Sequence, residues 1–218
     1  MKWDWSFVAE ILPLLLEGAA ITVQATLVGS LIALVVGLAF AIGQRSRQRW
    51  IRLPVVCIVQ FWRGTPLLVQ LFFIFFVLPE FGIALPAFVA GVIGLGLHYA
   101  CYTAEVYRAG IANVDQGQWD AARACNLSIA QTWRHVILPQ AVPPMVPALG
   151  NYVIGMFKES ALLSAITVAE LMTRAQAIGS STFRYTEPLT LVGIIFLVIS
   201  VAAGLLVTWL ERRLRRPH

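Results

Sequence analysis

Few side chains in this sequence have the types and spacing to do chemistry, and most of those sit beside long apolar runs. Arg63, Glu105 and Glu159 stand in or at the edge of stretches with almost no other charge, and Ser160 follows Glu159. An ionisable group at membrane depth is costly, so it is kept for a partner or a function. Arg63 and Glu105 fall towards corresponding ends of their apolar runs and are expected to pair, holding the two runs together. The patterns of self-sufficient catalysts are missing. There is no G-x-x-x-x-G-K-[ST] loop to cradle phosphates, no H-E-x-x-H, no G-x-S-x-G and no paired metal ligands. Cys57, Cys101 and Cys125 are scattered, fit neither a disulfide framework nor a metal site, and read as small packing residues. His98 reads as a packed, hydrogen-bonded histidine, and Phe72, Phe73, Phe75 and Phe76 as lipid-facing or packing residues. The chain by itself is expected to bind no metal, no cofactor and no ATP.

The elements that must carry these residues follow from composition. Hydrophobic residues make up 59% of the chain and charged residues 12%, against roughly 25% charged in a soluble domain. Such a chain cannot cover its own surface in water, and lipid is the expected solvent. A spanning helix needs about 20 mostly apolar residues. Five stretches qualify, at about 18–44, 53–79, 83–107, 135–157 and 188–210, so the fold class is an all-α integral membrane protein of one domain over 1–218. No N-terminal signal peptide is apparent, and insertion is expected to rely on the first span.

The net charge of +5 is concentrated beside these runs, in Arg45, Arg47, Arg49 and Arg52 and again in Arg212, Arg213, Arg215 and Arg216. That bias marks cytoplasmic loops and not a nucleic-acid surface. It predicts a periplasmic N-terminus, a cytoplasmic C-terminus, and a cytoplasmic loop between spans 3 and 4 carrying Arg108, Arg123 and Arg134. Within Arg63-Gly64-Thr65-Pro66, Thr65 has the chemistry of an N-cap and Pro66 that of a first helical residue. The second span is therefore expected to break there, leaving Trp50 to Trp62 as a separate helix near the cytoplasmic interface. Pro139, Pro143, Pro144 and Pro147 predict a kinked fourth span facing a cavity.

The loop between spans 3 and 4 is dense in capping signals. Asp115 with Gln118 fits a capping box, Asn126 tolerates the left-handed conformation that ends a helix, and Ser128 with Gln131 forms a second box. A short helix over about 116–125, a tight turn and a new helix start are expected. The product is a stiff knob.

On these residues the sequence resembles a known family. Asp120-Ala121-Ala122, then Asn126, then Val136-Ile137-Leu138-Pro139 is similar in spacing to the "EAA" loop of bacterial ATP-binding-cassette importer permeases. Asp120 stands for Glu, Asn126 for Gly and Val136 for Ile, each keeping charge, left-handed tolerance or apolar bulk. The runs Phe61 to Gln70, Tyr102 to Ile111 and Lys158 to Leu162 resemble the polar amino acid branch, which also serves opines and solutes such as ectoine. Glu159, Ser160 and Ala161 replace the Asp-Thr-Ser common there.

The resemblance implies a permease of the bacterial inner membrane whose ATP and Mg are bound by a separate cytoplasmic ATPase dimer. It implies a second permease subunit, identical or paralogous, and a periplasmic or extracellular solute-binding protein. The loop helix would dock on the ATPase through Trp119, Asp120, Ala121, Ala122, Arg123 and Asn126, with Pro139 closing the motif. Glu159 and Ser160, with Gln70 and Asn151 behind them, are the candidates for solute contact, since a carboxylate suits an ammonium or amidinium. The bland alternative is that Lys158 and Glu159 mark the interface or pair with each other. Rival classes are a membrane enzyme, a channel or proton-coupled carrier, and an exporter. The first would need acidic or histidine clusters at one depth, the second acidic residues in mid-span, and the importer-type loop speaks against the third.

Overall fold

The computed structural model describes residues 3–214. Arg215 and Arg216 lie outside the described residues. Within them the chain is entirely helical, without strands. The helices are α1 (Trp5–Gln44), α2 (Arg49–Gly64), α3 (Leu67–Phe72), α4 (Ala87–Ala112), α5 (Gln116–Ala124), α6 (Ile129–Gln131), α7 (Leu138–Glu159), α8 (Leu171–Thr182) and α9 (Thr186–Leu214).

Three of these, α1, α4 and α9, are long and apolar enough to cross a bilayer, and two bent pairs raise the number to five. The chain is thus a multi-pass membrane protein. α1 begins well before the predicted 18. The apolar run fades at Glu10 and Glu17, but helix formation does not require apolarity, and Asp4 caps the new start by accepting from Ser6 N–H at 2.9 Å and Phe7 N–H at 3.3 Å. α4 and α9 likewise extend beyond the expected 83–107 and 188–210 at their C-terminal ends. Glu105 and Arg108 are accommodated inside α4 because they pair with each other.

The expected second span, 53–79, is not one rod. α2 meets the segment Leu67–Phe81 at 107°. The break falls where Gly64-Thr65-Pro66 predicted it, but the capping differs. Thr65 ends α2 instead of starting α3, its hydroxyl donating back to Phe61 O at 3.0 Å, and Pro66 takes the N-cap position. The fourth span starts earlier than 135, at α6, and continues past Glu159 through a tight turn, Ser160–Ile166, to α8 at a 48° bend. Its irregular step is a π-turn over Thr132–Ile137, which delivers the chain into α7 just before Pro139. Pro143, Pro144 and Pro147 lie inside a continuous α7.

The core is built where α1 and α4 run side by side in the same direction. Small residues allow it. A Cβ on Gly37 would meet the Thr103 side chain and stand 2.8 Å from Ala100 O, and one on Gly29 would stand 3.8 Å from Gly96 N. Thr103 Oγ1 donates to Ala33 O at 2.7 Å across this contact. Around it pack Leu71 and Ile74 from the third segment and Leu163 and Ile166 from the turn after α7. α9 buries almost none of its most apolar stretch within this chain, which leaves it for lipid or another subunit.

Candidate functional site

Two groups of residues stand out from this scaffold, a polar and aromatic cluster on α4 and α7, and the knob formed by α5 and α6.

The cluster starts from the order of α4. His98 faces Gln70 of α3, and Tyr99 and Tyr102 face Tyr152 in the middle of α7. Tyr99 and Tyr102 each stand within 6.1 Å of the Tyr152 ring, and His98 stands 5.2 Å from Tyr102. Glu159, at the end of α7, accepts a hydrogen bond from Tyr99 Oη at 3.0 Å. The Arg63 guanidinium lies over the Tyr102 ring, 5.5 Å from its centre. Arg63 also reaches Glu105 at 3.9 Å, while Arg108 holds the same carboxylate more closely, at 2.6 Å. Glu105 is therefore shared between two arginines.

The other residues singled out for solute contact are Gln70, Ser160 and Asn151. Gln70 is buried and its amide is fully engaged in the bend. Its Nε2 donates to Trp62 O at 2.7 Å and Thr65 Oγ1 at 2.7 Å, and its Oε1 faces His98 Nδ1 at 2.9 Å. Ser160 is buried, with its hydroxyl donating to Phe157 O at 2.6 Å. Asn151 is exposed. Gln70 and Ser160 each close a local bend or helix end, which leaves their side chains little capacity for a ligand. Lys158 does not pair with Glu159. It lines a separate crevice of about 280 Å³ between α7, α8 and α9, with Phe196 and Ser200. Beside Tyr99 and Tyr152 the space enclosed by this chain is only about 10 Å³, room for about one water.

The knob is held by its caps. Asp115 accepts from Gly117 N–H at 2.7 Å. The predicted box with Gln118 does not close, because the Gln118 side chain accepts from Gln140 Nε2 at 3.1 Å and so joins α5 to α7. Asn126 takes φ 52°, and Leu127 N–H donates to Ala122 O at 3.1 Å, which ends α5 in the expected left-handed turn. Ser128 and Gln131 form the reciprocal box. Trp119 meets Trp133 edge-on at 5.4 Å and Ala122 is buried, so one side of α5 is nailed to the π-turn. Asp120 and Arg123 point the other way, paired at 3.3 Å and both largely exposed, as are Ala121, Asn126 and Pro139.

Some features were not found from sequence. Glu170 is completely buried and caps α8, accepting from Met172 N–H at 2.8 Å and Thr173 N–H at 2.7 Å, with Thr22 Oγ1 of α1 at 3.5 Å. Glutamate is an unusual cap, and the Thr22 contact is remote in sequence. At the N-terminal end of α1, Arg184 pairs with Asp4 at 3.3 Å and with Glu187, and stacks on Phe7 at 4.1 Å. Asp4 is held at a pKa of about 2 by the Ser6 hydroxyl, the Phe7 N–H and then Arg184. The guanidinium of Arg184 is raised, first by Glu187. Cys57 and Cys125 are exposed, and only Cys101 is a buried packing residue.

Comparison with known proteins bears on this arrangement. Residues 25–216 match the family described as binding-protein-dependent transport system inner membrane component. A probable amino-acid ABC transporter permease protein of Sinorhizobium fredii is 46% identical over 204 residues, 94% of this chain and 88% of its own. The arginine transport system permease protein of Bacillus subtilis is 34% identical over 220 residues, 99% of each chain. A solved structure described as an amino acid ABC transporter with histidines superposes with a TM-score of 0.92 at 39% identity, covering 98% of this chain and 100% of that one.

Proposed function

This chain belongs to the family of binding-protein-dependent transport system inner membrane components, and from that premise we propose that it is one of two permease subunits of an importer for polar amino acids. It is a transport subunit, as its relatives are, and not an enzyme. The observation that carries the mechanism is the knob. A helix clamped on one side by the Trp119–Trp133 contact and offering Asp120, Ala121 and Arg123 on the other is a stiff lever. A lever of that kind passes on a push, where a floppy loop would absorb it. The reading is that a separate ATPase dimer, holding ATP and Mg, docks there from the cytoplasm. A binding protein outside delivers the solute, and the membrane is the bacterial inner one.

For the solute, Glu159 is the residue retained from the sequence. Its carboxylate, beside Tyr99 and within a set of aromatic faces, suits an ammonium or amidinium group. Because one chain encloses almost no space there, the second permease subunit, identical or paralogous, is needed to complete the path. The relatives' amino-acid names favour amino acids over ectoine-like solutes. The test is ATP-dependent uptake in vesicles that contain all subunits, compared across arginine, histidine, glutamine and ectoine. Uptake of a basic or polar amino acid is expected. Glu159→Gln should lower it roughly tenfold or more, the scale of losing a hydrogen bond to a charged group, with assembly unchanged. Uptake unaffected by this change would remove Glu159 from the path.

A further inference from the structure

α2 is unlike the other long helices. It is amphipathic, it lies at 107° to the segment that follows, and it packs on the ends of its neighbours. Val55 rests on Gly43 near the end of α1, and Arg63 reaches Glu105 near the end of α4. α1 and α4 run in parallel with Gly37 against Thr103, so the two contacts lie within about one helical turn of the same level. A helix crossing both at that level lies along the bilayer surface, not through it.

Its surface divides into three sectors. Val59 faces inward and is fully buried. Opposite stand Trp50, Leu53, Cys57 and Phe61, at the spacing of one helical stripe, with Trp50 73% and Phe61 66% exposed. Between the stripe and the Val59 side, on one flank, come Arg49 and, closer to Val59, Arg52. Arg45 and Arg47 precede them in the connection from α1, and all four arginines are exposed. Among the described residues none of the four forms an ion pair. An apolar stripe with an uncompensated basic flank is the pattern of a helix seated at the headgroup boundary. The cytoplasmic leaflet carries the negative charge that such a flank attracts.

We propose that the exposed face of α2, with Arg45, Arg47, Arg49 and Arg52, is a docking surface for anionic phospholipid. The acyl chains cover Trp50, Leu53, Cys57 and Phe61, and the phosphates meet the guanidinium groups. A consequence follows from the bend. α2 is joined to α4 by Arg63–Glu105 and to α3 by Gln70, whose amide also faces His98 of α4. Headgroup charge would then bias the position of the core helices. The assignment to the cytoplasmic leaflet rests on the orientation read above, whereas lipid selectivity does not.

The test uses the full chain reconstituted in vesicles whose two leaflets both contain brominated lipid, so its result is independent of orientation. Fluorescence quenching by brominated phosphatidylglycerol is compared with that by brominated phosphatidylcholine, and the Trp50 signal is isolated by subtracting Trp50→Phe. Phosphatidylglycerol should quench Trp50 in clear preference, and added salt should weaken that preference. Arg49→Gln with Arg52→Gln, leaving Arg45 and Arg47 to preserve insertion, should reduce the preference by on the order of threefold or more. The Arg49→Lys, Arg52→Lys pair should keep most of it. Equal quenching by the two lipids would overturn the proposal. So would a Trp50 that neither lipid quenches, which would mean that protein covers this face.

Discussion

At the residue scale, the charged groups are defined by who shares them. Glu105 was expected to pair with Arg63 alone, yet Arg108 is the nearer partner. This changes what an exchange of charges would do. Placing an arginine at 105 and a glutamate at 63 restores one pair and sets the new arginine beside Arg108, so the exchange should rescue only partly. Glu105→Gln should lower thermal stability more than Arg63→Gln, though each partly exposed pair is worth about 1 kcal/mol or less. Melting of the purified single and double variants checks the order, and equal effects would refute the sharing. Asp4 offers a pH test at the opposite end. Its carboxyl is depressed from 3.8 to about 2, so its contribution is fully present above pH 4 and is lost as pH falls towards 2. Hydrogen exchange at Ser6 and Phe7, corrected for intrinsic rate, should therefore stay slow at pH 4 and quicken below it. Asp4→Ala, which has no side-chain acceptor, should show the fast behaviour already at neutral pH.

At the element scale, the parts that were legible are those whose causes are local. The turn at Asn126 and the box of Ser128 with Gln131 depend on neighbours two or three residues away, and both form as expected. The Asp115–Gln118 box and Thr65 carried equally good local signals, but a tertiary partner drew Gln118 out of the box, leaving Asp115 to cap α5 alone, and the preceding helix claimed Thr65. Gln118 is taken by Gln140, and Thr65 bonds back to Phe61. The roles of Gln70 and Glu170 were illegible because a glutamine closing a bend and a glutamate capping a helix are not standard local signals, and each also takes a partner remote in sequence, His98 in one case and Thr22 in the other. The local logic of the knob can be tested at Asn126. Its left-handed backbone suits glycine, so Asn126→Gly should fold normally and keep uptake. Asn126→Val places a β-branched side chain where it is strained by about 1–2 kcal/mol. That variant should loosen α5 and leave ATP hydrolysis by the partner poorly coupled to uptake. Measuring both rates in the same vesicles separates coupling from simple loss of protein.

At the scale of the whole molecule, the question is which ends of the helices share a side of the membrane. The parallel course of α1 and α4 settles part of it without reference to charge. Gly37 meets Thr103 and Gly29 lies near Gly96, so the end of α1 and the end of α4 emerge together. The α2 connection and the knob must then lie on one face, and the Asp4–Arg184 clasp, at the other end of α1, on the opposite face. By their positive charge, the arginines at 45, 47, 49 and 52 predict that the first face is the cytoplasmic one. With the exposed Cys57 and Cys125 replaced by serine, single cysteines at Gln116 and Ser181 report the two faces. An impermeant maleimide added to intact cells should label the cysteine at 181 and spare the one at 116, and opened membranes should expose both. Labelling of both in intact cells would contradict a lever that faces the cytoplasm, because the knob and the clasp stand at opposite ends of the same α1 rod.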